Sequence, residues 1–402
     1  MSDDFGHALR ELRQRAKLSL AELAARTNYS KPMLAKVEVG DRRPSLDLAT
    51  ACDRALGTTP LLAMLCEYTG GDELRRRALV AGVGLLATGA VTGFDGLAEA
   101  VRHGLSSAAG VDDWDDLVAG HARDLVTVPG AEYGPRVLAD LNLLLQLVRD
   151  GDAGSDQFRA AAGLGNFFGL WNGNRGRLDK ARDWYRTAAN LADRSGDTIL
   201  ACYIRGRAAA RATYEGATVA ETEAAIAQIM AVTGGTPSVG TLEAYSTEAT
   251  LAGLIGEPER GRAAVRGMWR VAEALPVDAD PWGAAGPAPR AAFLDAFVEC
   301  RCGTLATAQR AVDTALVGLG DWPMWEAEVH QYWARALVAA GDVAEGVRYG
   351  LDAARRVQHD AQVIRIAARD VVDQVPAGWI SAELEQLRGY ASPDPGPWET
   401  LA

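Results

Sequence analysis

The residues best equipped for chemistry are bases gathered in one short stretch near the N-terminus: Lys31, Lys36, Arg42 and Arg43. A lysine ammonium donates to guanine O6 and N7 or, without reading sequence, to a phosphate; both roles stay open for Lys31 and Lys36. Beside Lys31, Pro32 and Met33 offer apolar contact of the kind that reads a thymine methyl. Such side chains discriminate bases when a helix carries them into the major groove with its N-terminal turn leading. No comparable set exists for covalent or metal chemistry. The histidines His7, His103, His121, His330 and His359 lie far apart, and none stands at ligand spacing to a Cys or Asp. Gly82-Val-Gly84 and Gly163-Leu-Gly165 open like nucleotide loops but lack the third glycine and a preceding strand, so they read as helix-packing glycines. Cys300 and Cys302 fall on different faces of a helix, which makes a metal clip a poor fit. The expectation is a binding protein without metal or cofactor, not an enzyme.

Short helices must position these bases. Phe5–Ala16 is amphipathic with Leu9 and Leu12 inward. Ser19-Leu-Ala-Glu22 is a capping box that opens a helix running to about Thr27. Asn28-Tyr29 turn the chain, and Ser30 caps Lys31–Val39, which stops at Gly40. On that helix Leu34 and Val37 face inward, leaving Lys31, Pro32, Met33 and Lys36 outward. Ser45 caps a fourth helix to Leu56, with Gly57 as its stop, and Thr59-Pro60 begin a fifth. Five short helices, the second and third joined by a tight turn, predict a helix-turn-helix head.

Ser19–Ala25, Ser30–Gly40 and Arg42-Arg43-Pro44-Ser45 closely resemble the phage-repressor-like helix-turn-helix class, often called the xenobiotic-response-element type. The shared frame is met here by Leu23, Ala24, Ser30, Leu34, Glu38, Gly40, Arg42, Pro44 and Ser45. The resemblance implies that Lys31–Val39 is the recognition helix. It also implies phosphate anchoring at the amide end capped by Ser19 and at Arg42-Arg43, with Ser30 among the DNA-binding residues. Many relatives carry Gln or Ser where this chain has Pro32 and Met33, so base preference does not transfer. In the resembling fold the acid at Glu38 pairs with a base on the first helix, here Arg13, as a structural ion pair.

The formal charge of −12, from 41 Lys+Arg against 53 Asp+Glu, argues against nucleic acid only as a whole-chain figure. Residues 1–77 hold 13 bases against 11 acids, so the acidity belongs to the remainder, which DNA should repel. Residues 1–69 read as the head and 70–110 as a Gly/Ala-rich connector helix. Arg75-Arg76-Arg77 followed by Ala78–Ala90 imitates a twin-arginine signal, but it stands behind a folded domain and is too short for a span. The five cysteines, odd in number, and an acidic start without a leader fit reduced thiols in a cytoplasm with no membrane role.

From 111 to 391 a glycine-led pattern recurs at Gly176, Gly216, Gly256, Gly303 and Gly341, spaced 40, 40, 47 and 38 residues apart. Five positions on come Ala181, Glu221, Gly261, Ala308 and Gly346, where paired helices would approach closely. Helices are expected at Asp113–Thr127, Tyr133–Asp150, Asp156–Trp171, Thr198–Tyr214, Thr241–Ile255, Arg290–Arg301, Met324–Ala339 and Asp360–Gln374. Pro276–Pro289 reads as a loop and 392–402 as a tail. The fold class is all-α: a five-helix head plus a superhelix of helical hairpins resembling tetratricopeptide repeats, most closely at Ala181, Tyr185, Ala188 and Ala192. The arrangement resembles peptide-sensing quorum regulators of Gram-positive bacteria and related one-component regulators. It implies a transcription regulator that binds a double-stranded DNA operator as a homodimer and senses a small-molecule or peptide effector. Residues offered to the concave face are Asn166, Trp171, Arg205, Tyr245, Trp325 and Gln331, although an aromatic at helical spacing is more often core. The competing reading keeps the head but makes the acidic body a protein-interaction scaffold without an effector.

Overall fold

Stretches rich in Ala, Leu and Arg, punctuated by glycine and capping Ser or Thr, dictate helices throughout. The computed structural model describes residues 3–56, 58, 62, 63, 66, 114–127, 130–150, 153–214, 217–277, 279, 286–319, 322–357 and 362–391. Among them stand eighteen α-helices and no strand. The start of a fifth head helix at Thr59-Pro60, the connector with Arg75–Arg77 and the tail lie outside the described residues, as does Gly216. The chain divides into two compact units: Met1–Leu117 with Val128–Leu164 and Leu401–Ala402, and Val118–Thr127 with Gly165–Thr400.

In the head, α1 (Asp3–Arg15), α2 (Leu20–Thr27), α3 (Lys31–Glu38) and α4 (Leu46–Leu56) bury Phe5, Leu9, Leu12, Leu23, Leu34, Val37 and Leu48 against one another. Asn28 ends α2 in the left-handed region at φ 59°, a conformation Asn tolerates, and so permits the tight turn into α3. Gly6 is needed for a different reason. A Cβ there would lie 2.4 Å from the Val37 carbonyl oxygen, so α1 reaches the end of α3 only because the side chain is absent. Asp53 is fully buried on α4, where it accepts from the Thr58 hydroxyl at 2.6 Å and from the Leu62 and Ala63 amides at 2.9 Å. Burial still pushes its carboxyl above the usual range, against the pull of those three donors.

The rest of the first unit includes all of α6 (Gly130–Asp150) and the first half of α7 (Ser155–Asn174), whereas most of α5 (Trp114–Thr127) belongs to the second. In the second unit follow α8 (Leu178–Ser195), α9 (Thr198–Tyr214), α10 (Val219–Thr233), α11 (Val239–Ile255), α12 (Pro258–Ala274) and α13 (Pro287–Cys302). Then come α14 (Leu305–Gly318), α15 (Pro323–Ala339), α16 (Val343–Arg355), α17 (Gln362–Asp373) and α18 (Ala382–Ala391). Turns as short as Gly196-Asp197 and Gly256-Glu257 send a helix back along its predecessor. As a result α9, α11, α13, α15 and α17 pack side by side in one layer. Outside it, α10, α12, α14 and α16 each lean on two members of that layer, and α18 closes on α16 and α17. Met268, Phe293, Phe297, Val298, Val312 and Tyr332 form the middle of the core, and Val338, Val347, Ile364, Val371 and Leu387 its C-terminal end.

Two details of the glycine-led pattern differ from the sequence reading. Glu221 does not occupy a close-packing slot. It is exposed, and its carboxylate accepts from the Thr218 amide at 2.8 Å in a capping box, while Thr222 takes the buried position. Gly303 opens its turn with an extended φ of −91°, so handedness does not require glycine there. Space does: a Cβ would lie 2.7 Å from the Glu299 carbonyl oxygen. Gly176, Gly256 and Gly341 do adopt positive φ. The Gly163–Gly165 segment lies inside α7, where Gly165 brings that helix against Ala188 of α8. Helix α18 has no counterpart in the sequence reading.

Candidate functional site

The base-bearing face of the head is set by α3. Ser30 starts the helix by accepting from the Met33 amide at 3.3 Å, and Pro32 fits at N2, where no intrahelical amide bond is lost. With Leu34 and Val37 wholly buried, Lys31, Pro32 and Lys36 are left exposed and Met33 half-buried. Arg42 and Arg43 are exposed on the following turn, and the Arg42 amide donates to the Lys36 carbonyl at 3.2 Å, folding that turn back onto α3. At the start of α2, Ser19 Oγ accepts from the Glu22 amide at 3.2 Å and the Glu22 carboxylate accepts from the Ser19 amide at 2.7 Å. Donation from the Ser19 amide, and next from the Ser19 side chain, holds the Glu22 carboxyl below its ordinary range. Ser19 and Ser30 thus mark two exposed helix amide ends, and the four bases stand on or just after the second helix of the motif.

The acid on α3 is withdrawn from that face. Arg13 donates to Glu38 through Nε at 2.6 Å and Nη2 at 2.8 Å, with the side chains only 12% and 5% exposed. A third donor, Nη1, reaches the Leu18 carbonyl at 2.9 Å. The paired carboxylate keeps the Arg13 guanidinium charged, raising its pKa against the cost of burial. The outward surface of α3 is consequently basic and apolar, without a competing carboxylate.

The six residues offered to an effector do not form one site. Asn166 is fully buried in α7, and neither its Oδ1 nor its Nδ2 has a hydrogen-bond partner among the described residues. Trp171 stacks on Phe168 at 5.2 Å with Arg175 and Arg177 over its ring. Arg205 is engaged by Asp193 at 2.6 and 3.0 Å. Tyr245 packs against Gly267, and Gln331 donates to the Gly350 carbonyl at 2.7 Å. Trp325 is different: it lines a cavity of about 130 Å³ in the second unit.

That cavity is walled by Phe293, Trp322 and Trp325 and carries Arg207 and Arg211 of α9, Arg290 of α13 and Glu328 of α15. Asn174, read from sequence as a turn residue, also lines it. None of the three arginines was singled out by sequence. The available signal was Arg207 and Arg211 at i and i+4, one face of a helix that is otherwise mostly buried alanine and aliphatic.

Among the described residues no group of His, Cys, Asp or Glu is placed to hold a metal, and no helix is long and apolar enough to cross a membrane. No curated protein and no solved structure matches the chain. Residues 4–65 do match a family, described as a helix-turn-helix domain, and they cover all four described head helices except the first residue of α1. The N-terminal head of this all-α chain is a helix-turn-helix domain.

Proposed function

We propose that the chain is a sequence-specific transcriptional regulator that binds a double-stranded DNA operator through α3. The observation that carries this reading is the exposed row of Lys31, Pro32 and Lys36, with Arg42 and Arg43 beside it, on the second helix of a helix-turn-helix domain. In this reading Lys31, Pro32, Met33 and Lys36 face base edges. Ser19, Ser30, Arg42 and Arg43 hold phosphates at helix amide ends and on the following turn. A single small head buries little DNA surface, so useful affinity calls for two half-sites and hence a homodimer. The helical body would supply the dimer contact and sense a small-molecule or peptide effector, which shifts the pair of heads between two spacings. The chain acts by binding and carries out no catalysis, and its place of action is the cytoplasm.

Retention of duplex DNA by the full chain, titrated with salt, tests this. Steep loss of retention with rising salt is expected, with a shallower slope in Arg42→Ala/Arg43→Ala as phosphate contacts are removed. Retention that ignores salt, or a slope unchanged in the double variant, would count against the assignment.

A further inference from the structure

Buried guanidinium groups are retained in a fold where something anionic answers them. The cavity of the second unit concentrates them: among the described residues its lining holds Arg207, Arg211 and Arg290 and one carboxyl, Glu328. Glu243, behind the wall and 3% exposed, lies 3.7 Å from Arg207 and 3.3 Å from Arg290, and so offsets part of this charge. Arg290 is the best-defined member. Its Nη2 donates to Ser246 at 2.9 Å, its guanidinium lies 5.3 Å over the Trp325 ring, and its Nε–H is buried without an acceptor among the described residues. A stacked guanidinium in a cavity lining is suited to a carboxylate or phosphate oxygen.

The rest of the lining is mostly apolar, with a row of aromatic rings along one part of it. Phe293 and Trp325 have centroids 5.1 Å apart, and Trp322 continues the row 5.7 Å from Trp325. At about 130 Å³ the space compares with a cavity of roughly 150 Å³ that admits one benzene ring. Aromatic walls with a few convergent polar groups are the usual makings of a small-molecule site.

From these observations we infer that the cavity binds a small ring-bearing anion, its acid group held by Arg290 and Arg207 and its ring lying along Trp325 and Phe293. This rests on reading the body as an effector-sensing unit and narrows the effector to an aromatic acid rather than a peptide. Glu328 opposes such a ligand when ionised. Its carboxyl faces Tyr332 on its own helix, Arg207, Arg211 and Tyr214 from α9, and Arg290 from α13; desolvation pushes it up to about 7.

The test uses the full chain and four probes of one shape: benzoate, phenyl phosphate, neutral benzamide and cationic benzylamine. Calorimetric titration should find the two anions binding more tightly than benzamide, with benzylamine weakest. Arg290→Gln should weaken benzoate about tenfold or more, the worth of a charge-assisted bond. Glu328→Gln should instead tighten benzoate severalfold above pH 7, where the wild-type carboxylate repels it. A damaged body cannot produce that gain, so misfolding cannot imitate it. Anions binding no better than benzamide, or benzoate affinity unchanged in both variants, would overturn the proposal. DNA retention measured on the same samples separates the two readings. Benzoate binding without any change in retention keeps the site and removes its regulatory role, whereas absent binding with intact retention removes the site alone.

Discussion

Removing Glu38 tests how the recognition helix is held, because the Arg13–Glu38 pair joins α1 to the end of α3 by two donors at 2.6 and 2.8 Å. Breaking a buried pair from one side costs about 3–5 kcal/mol, chiefly because the partner charge is left behind. Arg13 keeps its bond to the Leu18 carbonyl and is 12% exposed, so the lower end applies to Glu38→Ala. About 3 kcal/mol is roughly a 150-fold change in an opening equilibrium. The assay is hydrogen exchange of the intact chain, read by mass on peptides spanning α3, with peptides of α13 as an internal standard. Exchange of α3 amides should speed by about two decades in Glu38→Ala and in Arg13→Ala, while α13 stays unchanged. The double variant should lose no more than either single one, since no charge is then left buried alone. Strictly additive effects, or α3 protection within a factor of about three of wild type, would refute the account of what orients this helix.

Three further outcomes follow from packing and charge. Gly6→Ala should destabilise the head by about 1–3 kcal/mol, as the new Cβ would press on the Val37 and Glu38 carbonyls, whereas Gly120→Ala in α5, with open space around it, should be neutral or stabilising; exchange rates in α3 and α5 read both. Asp53→Ala strips the acceptor from the Thr58 hydroxyl and two amides and should cost about 2–3 kcal/mol by thermal melting, while Asp47→Ala on the exposed face of the same helix should change little. Glu328 has a folded-state pKa near 7 against an ordinary 4.5, so the folded state binds its proton more tightly than the unfolded chain does. Stability should therefore fall as pH rises between those values, by at most roughly 3 kcal/mol, and level off above. Glu328→Gln should abolish that slope, and urea midpoints showing the same slope in both proteins would contradict the assignment.

How much of this was legible beforehand depended on the range of the interaction. Capping is local, so Ser19 with Glu22 and Ser30 with the Met33 amide could be placed from spacing alone, and helix bounds such as Thr198–Tyr214 followed from periodicity. Glu221 misled because an acid three residues after Thr218 is equally a capping partner, and the local bond won. Gly6 and Asp53 carry no sequence pattern: one is defined by an approaching backbone, the other by amides up to ten residues away. The cavity was the least legible feature. Arg207, Arg211, Arg290 and Glu328 come from three helices, and only the packing of α9, α13 and α15 sets them around one space. Arg205, two residues before Arg207 and so on the opposite side of the same helix, goes instead to Asp193 on α8. Helical spacing puts Arg207 and Arg211 on one face, but what that face meets is set only by packing.

The central claim is that α3 reads DNA, and its most direct test is capture of fragmented genomic DNA by the full chain followed by sequencing. Wild type should enrich a small set of fragments sharing paired half-sites about one helical turn apart. Lys31→Ala/Lys36→Ala, whose substituted side chains are exposed and carry no fold contacts described above, should lose that enrichment while melting as wild type does. The same fragments enriched by the double variant, or no fragment enriched by wild type, would contradict the account.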